Sequence, residues 1–196
     1  MEGYAKILHE EIVHCIAITD HNEIDFALEA QKKFGVNVIV GEEIRAREGE
    51  IIGLFLSKKI PAGLSVMDTI YEIRNQGGIV YVPHPFDIVR HGVSYQDLLS
   101  VLPSIDVIEI FNSRSISRRE NARRRQLASD NNIVGGVGSD AHSYSEVGKT
   151  YSLVCELPDV TTFLPLLKTA THTTAPTSLI HRLNPFINKV KKRWHL

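Results

Sequence analysis

Apolar positions in this chain alternate between two spacings. Tyr4, Ile7, Leu8 and Ile12 recur at helical spacing, which predicts an amphipathic helix at the start. Strand-like runs follow at 14–19 and 36–41, separated by the helical stretch IDFALEAQKKF, which Gly35 can close as a C-cap. Another apolar run spans Ile51 to Leu56. Ser65 then opens a helix with Asp68 in the capping-box position, and Gly77-Gly78 ends it before a strand at 79–83. A short helix near 95–102, a strand at 105–111, an arginine-rich helix near 115–130 and a strand at 133–137 continue the alternation. A strand at 150–155, a helix near 160–169 and an extended stretch near 171–175 complete it. Strands alternating with helices predict an α/β fold built on parallel strands, with the β/α units closing into a barrel. Such a barrel opens with a strand, whereas this chain opens with a helix. The expected form therefore lacks its first strand and any ligands at that strand's end.

The composition is that of an ordinary globular protein: 196 residues, 43% hydrophobic, net charge −1. That length suits one domain with a sizeable core. Cys15 and Cys155 sit in apolar runs without CxxC spacing and are expected as reduced core residues, which favours a cytoplasmic protein. No apolar run is long enough to span a bilayer, and the N-terminal stretch MEGYAKILHEE is not that of a signal peptide.

The chemistry concentrates at the ends of the strand-like runs. Asp20-His21 follow CIAIT, Glu42-Glu43 end VNVIVGEE, and His84 follows GIVYVP. Glu109 and Asn112 lie in IDVIEIFN, and Asp140 and His142 follow IVGGVGS. In a parallel barrel all carboxyl ends open on one face, so these residues converge there as a ring of His, Asp and Glu. Such nitrogen and carboxylate donors suit Zn, Mn or Fe. Packing accounts poorly for that pattern, although a single histidine beside a proline, such as His84, is more often structural.

The strings ITDHN (18–22), GEEI (41–44), VPHPFD (82–87) and GSDAH (138–142) closely resemble successive motifs of the PHP (polymerase and histidinol phosphatase) domain, from about residue 5 to about residue 170. The resemblance implies a distorted seven-stranded β/α (TIM-like) barrel over 1–180, followed by a basic tail at 181–196. It also implies up to three divalent ions in the family, with fewer expected here, and hydrolysis of phosphoesters. It makes His21, Glu43, His84, Asp140 and His142 metal ligands, with Asp20, His21 and His142 assigned to catalysis and Asp20 orienting a ligand ring. Glu43 is the third residue of the family's G-x-E pattern and is preferred to Glu42. Two departures stand out: Glu50 lies where many members carry a histidine, and the family's initial His-x-His is absent. Glu50 and Glu109 are further possible ligands. Glu50 is the weaker of the expected site residues because it precedes its run, and Glu109 could equally be a salt-bridged strand-end carboxylate.

Arg114 to Arg125 holds six arginines and one acid. A solvated helix face is one account of it, a phosphate clamp the other, since guanidinium matches phosphate oxygens bidentately. Arg114, Arg90 and Asn112 are the expected phosphate contacts, and most of Arg118 to Arg125 are expected to face solvent. His91, His172, His181 and His195 are expected at the surface, and the basic residues after Ile187 suit a polyanion contact or a solubilising end. The function expected is hydrolysis of a nucleotide, short oligonucleotide or sugar phosphate by metal-activated water. A small phosphorylated substrate or a short nucleic acid is thus the expected partner, with no membrane. Two alternatives stand beside it: a degenerate, weakly metal-binding domain, and a metal-dependent C–N hydrolase.

Overall fold

The structure, a computed structural model, describes residues 1–115 and 117–178. The basic tail, with His181 and His195, lies outside the described residues. Helix α1 (Glu2–His9) precedes β1 (Ile16–Ile18), α2 (Asp25–Phe34) and the paired strands β2 (Val38–Arg45) and β3 (Glu50–Leu54). Then come α3 (Val66–Asn75), β4 (Ile79–Val82), α4 (Tyr95–Val101), β5 (Val107–Asn112), α5 (Arg118–Asp130) and β6 (Val134–Gly138). A separate antiparallel pair, β7 (Tyr151–Leu153) and β8 (Thr171–Thr173), flanks α6 (Phe163–Thr169).

Strands β1 to β6 form one curled sheet in sequence order, a half-barrel in place of the expected seven-stranded barrel. The strands are also not all parallel. β3 runs antiparallel to both β2 and β4, while β1–β2, β4–β5 and β5–β6 are parallel. The reason is local: β2 and β3 are joined by a short turn, too short for the crossover that a parallel pair needs. This reversal places the first residue of β3, not its last, at the carboxyl ends of its neighbours.

Period-two alternation decides which side chains reach the interior. On β2, Val38, Val40 and Ile44 pack with Ala27 and Ala30 of α2 on the helix side, and Ile39 points the other way, to Ile52, Leu54, Tyr81 and Leu167. Each fully buried Val or Ile of this kind contributes roughly 1.5–3 kcal/mol. The helices start where the sequence predicts: the Ser65, Ser94 and Ser117 hydroxyls accept the N–H groups of Asp68, Asp97 and Glu120. Gly35, at φ 60°, closes α2.

The outer edges of β1 and β6 have no partner strand among the described residues. Between them runs a cavity of about 1540 Å³, apolar along the sheet (Ile16, Ile39, Ile52, Leu54) and polar at the carboxyl end. Among the described residues no helix is long and apolar enough to cross a membrane. Cys155, expected in the core, is exposed just past β7, because that two-stranded sheet has one face in solvent; Cys15 is half-buried, and burial lifts its thiol to about 11.

Candidate metal centre

Four side chains from four elements meet at one end of the cavity. Glu43 follows Glu42 on β2, so the two carboxylates face opposite ways. Glu42 is buried on the helix side, where its Oε2 accepts the Ile60 N–H at 2.9 Å; Glu43 lines the cavity. His21 is placed by continuation of the β1–β2 pairing: Glu43 N–H donates to the Asp20 carbonyl at 3.2 Å and Asn22 N–H donates to the Glu43 carbonyl at 2.9 Å. His84 follows β4 in the left-handed region, at φ 49°. Glu50 opens β3, and the antiparallel run of that strand brings it to the same end.

Each carboxylate spans the two imidazoles. His21 Nδ1 lies 3.6 Å from Glu43 Oε2 and 3.7 Å from Glu50 Oε1. His84 Nε2 lies 3.1 Å from Glu43 Oε1 and 3.8 Å from Glu50 Oε2. Burial, and then the neighbouring Glu43, push the Glu50 carboxyl up to about 7, against the opposing pull of His21 and His84. Burial works to lower the His84 imidazole, but its hydrogen bond to Glu43 and the charge of Glu109 outweigh it, leaving His84 above its ordinary value.

The other end of the cluster is built differently. Asp140 follows β6, also left-handed at φ 48°. Its Oδ2 accepts from Arg90 at 2.6 Å, and its backbone carbonyl accepts from Arg114 Nε at 2.7 Å. Arg90 further donates to Asn112 Oδ1 at 2.7 Å, Asp87 Oδ2 at 2.7 Å and Ser115 Oγ at 2.8 Å. Arg114 is held on Glu146 at 2.9 Å, and Glu146 Oε2 also accepts the His142 N–H at 3.1 Å. Between the two ends stands Glu109. Burial lifts its carboxyl to about 7, opposed by the charge of His84 and the hydrogen bond from Asn112 Nδ2 at 2.9 Å.

Asp20, His21, Glu43, His84, Glu109, Asn112, Asp140 and His142 all line the one cavity. Arg90 and Arg114 are not among its lining residues; their guanidinium groups are turned onto Asp87, Asp140 and Glu146, which hold them as ion pairs. Arg118, Arg119 and Arg125 face solvent and Arg123, also exposed, lies over the Phe86 and Tyr95 rings, but Arg124 is the largest fully buried side chain among the described residues, because Asn121, Arg124, Leu127 and Ala128 form the inward stripe of α5. Glu50 is far more central than its place before a strand-like run suggests. Sequence reasoning missed Glu146 altogether and allowed one or two of Arg123, Arg124 and Arg125 to turn inward without singling out Arg124; the i, i+3, i+6, i+7 stripe of Asn121, Arg124, Leu127 and Ala128 is the signal that could have found it.

His21, Glu43 and Glu50 each bring a donor atom within 4.8 Å of the others, a grouping that fits a divalent cation, and His84 borders the same two carboxylates. Metal–ligand bonds of about 2.0–2.2 Å put neighbouring donor atoms roughly 3.0–3.5 Å apart. The four separations, 3.1–3.8 Å, lie close to that range. Two carboxylates packed together, one of them held up to about 7, are what a bound cation would relieve.

A model of the PHP-associated family PHP_C matches residues 118–170. The chain is 36% identical over 190 residues to the uncharacterized protein MJ0417 of Methanocaldococcus jannaschii, covering 91% of this chain and 75% of that protein. It is 41% identical over 111 residues to a second protein of that organism, MJ1587, covering 55% of this chain and 63% of the relative. Its fold is similar to that of a two-domain Bacteroides vulgatus protein containing a predicted PHP-like metal-dependent phosphoesterase, at TM-score 0.63 and 18% identity over 82% of this chain and 56% of the other. The chain belongs to the PHP family.

Proposed function

We propose that this domain hydrolyses a phosphoester with the help of divalent cations held by His21, Glu43, Glu50 and His84. The observation that carries the reading is the pair of carboxylates, each presenting one oxygen to His21 and the other to His84. Family membership supports the same reaction class. Divalent ions bound there would acidify a water and neutralise phosphoryl oxygens. The chain's own residues do the rest. Glu43 and Glu50, buried on the sheet, would supply the carboxylate oxygens that hold the ions. His84 is locked by its hydrogen bond to Glu43. Asp140 and His142 line the same cavity, with Asp140 paired to Arg90. The cavity is wide enough for a nucleotide or sugar phosphate.

A second reading, a domain that binds metal but turns over slowly, is favoured by one observation: Asp140 is already paired with Arg90 at 2.6 Å. Metal content of the purified protein, followed by a panel of phosphomonoesters, phosphodiesters and C–N substrates after loading with Mn, Zn or Fe, tests both. Stoichiometric metal with metal-dependent phosphate release supports hydrolysis; metal without turnover supports the second reading; absence of bound metal overturns both. Amide or amidine cleavage in place of phosphate release would move the domain to C–N chemistry.

A further inference from the structure

We propose that Arg124 is a positioning residue that sets His84 and Asp140 at their working separation; the inference rests on the metal-centre reading above. Arg124 is wholly buried, on a helix whose other arginines are exposed. Burying a guanidinium is costly unless its donors are used. Here they are directed at two structural elements of the site. Nε donates to the Pro85 carbonyl at 2.9 Å, and one terminal nitrogen donates to Ser115 Oγ at 2.8 Å and to Asn121 Oδ1 at 3.2 Å. The other terminal nitrogen has no hydrogen-bond partner; Glu120 is 3.8 Å away.

Both contacts lead to the centre. Pro85 follows His84, and the backbone on either side of it is left-handed, at φ 49° for His84 and φ 75° for Phe86. Such a conformation costs of order 1–3 kcal/mol per residue and persists only where its surroundings hold it. The Arg124 bond to the Pro85 carbonyl and the Phe86 N–H bond to the Val93 carbonyl at 3.0 Å help to hold it, together with the His84–Glu43 hydrogen bond and the packing of Arg123 and Tyr95 on the Phe86 ring. In the other direction, the Ser115 hydroxyl accepts from Arg124 and from Arg90, each at 2.8 Å. Arg90 in turn donates to Asp140 at 2.6 Å. One side chain therefore ties the turn carrying His84 to the arginine that clamps Asp140. Helix α5 thus takes part in the site without any residue entering the cavity.

A planar guanidinium can serve Pro85 and Ser115 together; an ammonium is a point donor and cannot keep both directions. The test is Mn2+ binding to the full chain, by calorimetry and by the electron paramagnetic resonance spectrum of the bound ion. Three variants are compared with wild type: Arg124→Lys, Ser115→Ala and Leu127→Ala. Partners that orient metal ligands typically carry 10–100-fold in affinity, and losses of about that size are expected for Arg124→Lys and Ser115→Ala, with an altered spectrum. Leu127→Ala lies on the same buried helix stripe but touches neither Pro85 nor Ser115 by hydrogen bond. It should lower Tm yet keep Mn2+ affinity within about twofold, since no group that orients a ligand changes. If Arg124→Lys folds and binds like wild type, or if Leu127→Ala loses affinity equally, the positioning role is overturned. If Arg124→Lys fails to fold, Ser115→Ala decides alone, unchanged binding there overturning the proposal. A wild-type chain that binds no Mn2+ overturns the metal-centre reading itself, and this proposal with it.

Discussion

The two ends of the polar cluster carry similar residue types and opposite electrostatics. At the Glu43 end, two buried carboxylates face two imidazoles with no arginine hydrogen-bonded to them among the described residues, and Glu50 holds its proton up to about 7. At the Asp140 end the carboxylate already has a guanidinium at 2.6 Å, and Glu146 neutralises a second arginine beside it. The family motifs put His and Asp or Glu at both ends, and the ends differ in whether a guanidinium already pairs the carboxylate. What sets affinity is whether the protein has already supplied the positive charge. On the proposed reading the first end receives the cation and the second holds its shape.

Glu43 is where the contrast breaks most sharply. Glu43→Gln removes the charge and turns one of the two oxygens that face His21 and His84 into an amide nitrogen, so Mn2+ or Zn2+ affinity should fall by more than the roughly 100-fold that marks the upper range for outer partners. Titration of the metal-free variant against wild type checks this, and a loss under tenfold would mean the ions sit elsewhere. Asp140→Asn should separate the two ends. It leaves Arg90 with Asp87 as its one ion-pair partner among the described residues and Glu109 more weakly felt, and breaking a buried pair costs up to about 3–5 kcal/mol. Thermal or denaturant unfolding should show that loss, while metal affinity at the Glu43 end changes less than for Glu43→Gln. The reverse ranking would put the cation beside Asp140.

How much of this was legible beforehand follows the same division. The order of helices and strands, the serine caps and the Gly35 stop were legible because each rests on a few adjacent residues. Glu43 over Glu42 came from a motif, and strand alternation explains it physically. The antiparallel β3 was hidden, because an apolar run such as IIGLFL carries no direction; with direction unknown, Glu50 looked like the wrong end of a strand. Arg114 and Arg90 were placed near the right loops, but which anion each would choose depends on Asp87 and Glu146, which only the folded chain brings near. Arg124 was obscured by its neighbours: a run of arginines suggests solvent, and only the helical stripe singles out the one that turns inward.

pH should sharpen the comparison with a moderate effect. A carboxyl held near 7 in the folded protein binds a proton that the unfolded chain, at its ordinary 4.5, has already lost. Glu50 and Glu109 therefore make the metal-free protein less stable as pH rises from about 4.5 to about 7, and flat above that. With metal bound at the Glu43 end, the Glu50 proton must leave first, so affinity should rise with pH up to about 7 and proton release should accompany binding below it. Calorimetry in two buffers of different ionisation heat at pH 6 measures that release. None detected, with affinity flat from pH 5.5 to 7.5, would mean Glu50 is not a ligand.

The smallest effect is expected one residue from the largest. Glu42 shares the β2 strand with Glu43 but points into the helical layer, where it accepts the Ile60 N–H at 2.9 Å and burial holds its carboxyl above the ordinary value. Glu42→Gln keeps an oxygen for Ile60 and removes a charge that burial penalises, although an amide N–H would take the place of an Oε1 that has no partner. These effects oppose each other, so the stability change should stay within about 1 kcal/mol. Its pH trend has a definite sign. Since the wild-type carboxylate becomes costlier as pH climbs past 4.5, the variant should gain relative to wild type in that direction. Metal affinity should be unchanged. A Glu42→Gln protein that lost metal as Glu43→Gln does would show that β2 is in the other register, with every assignment at this end of the cavity shifted by one residue.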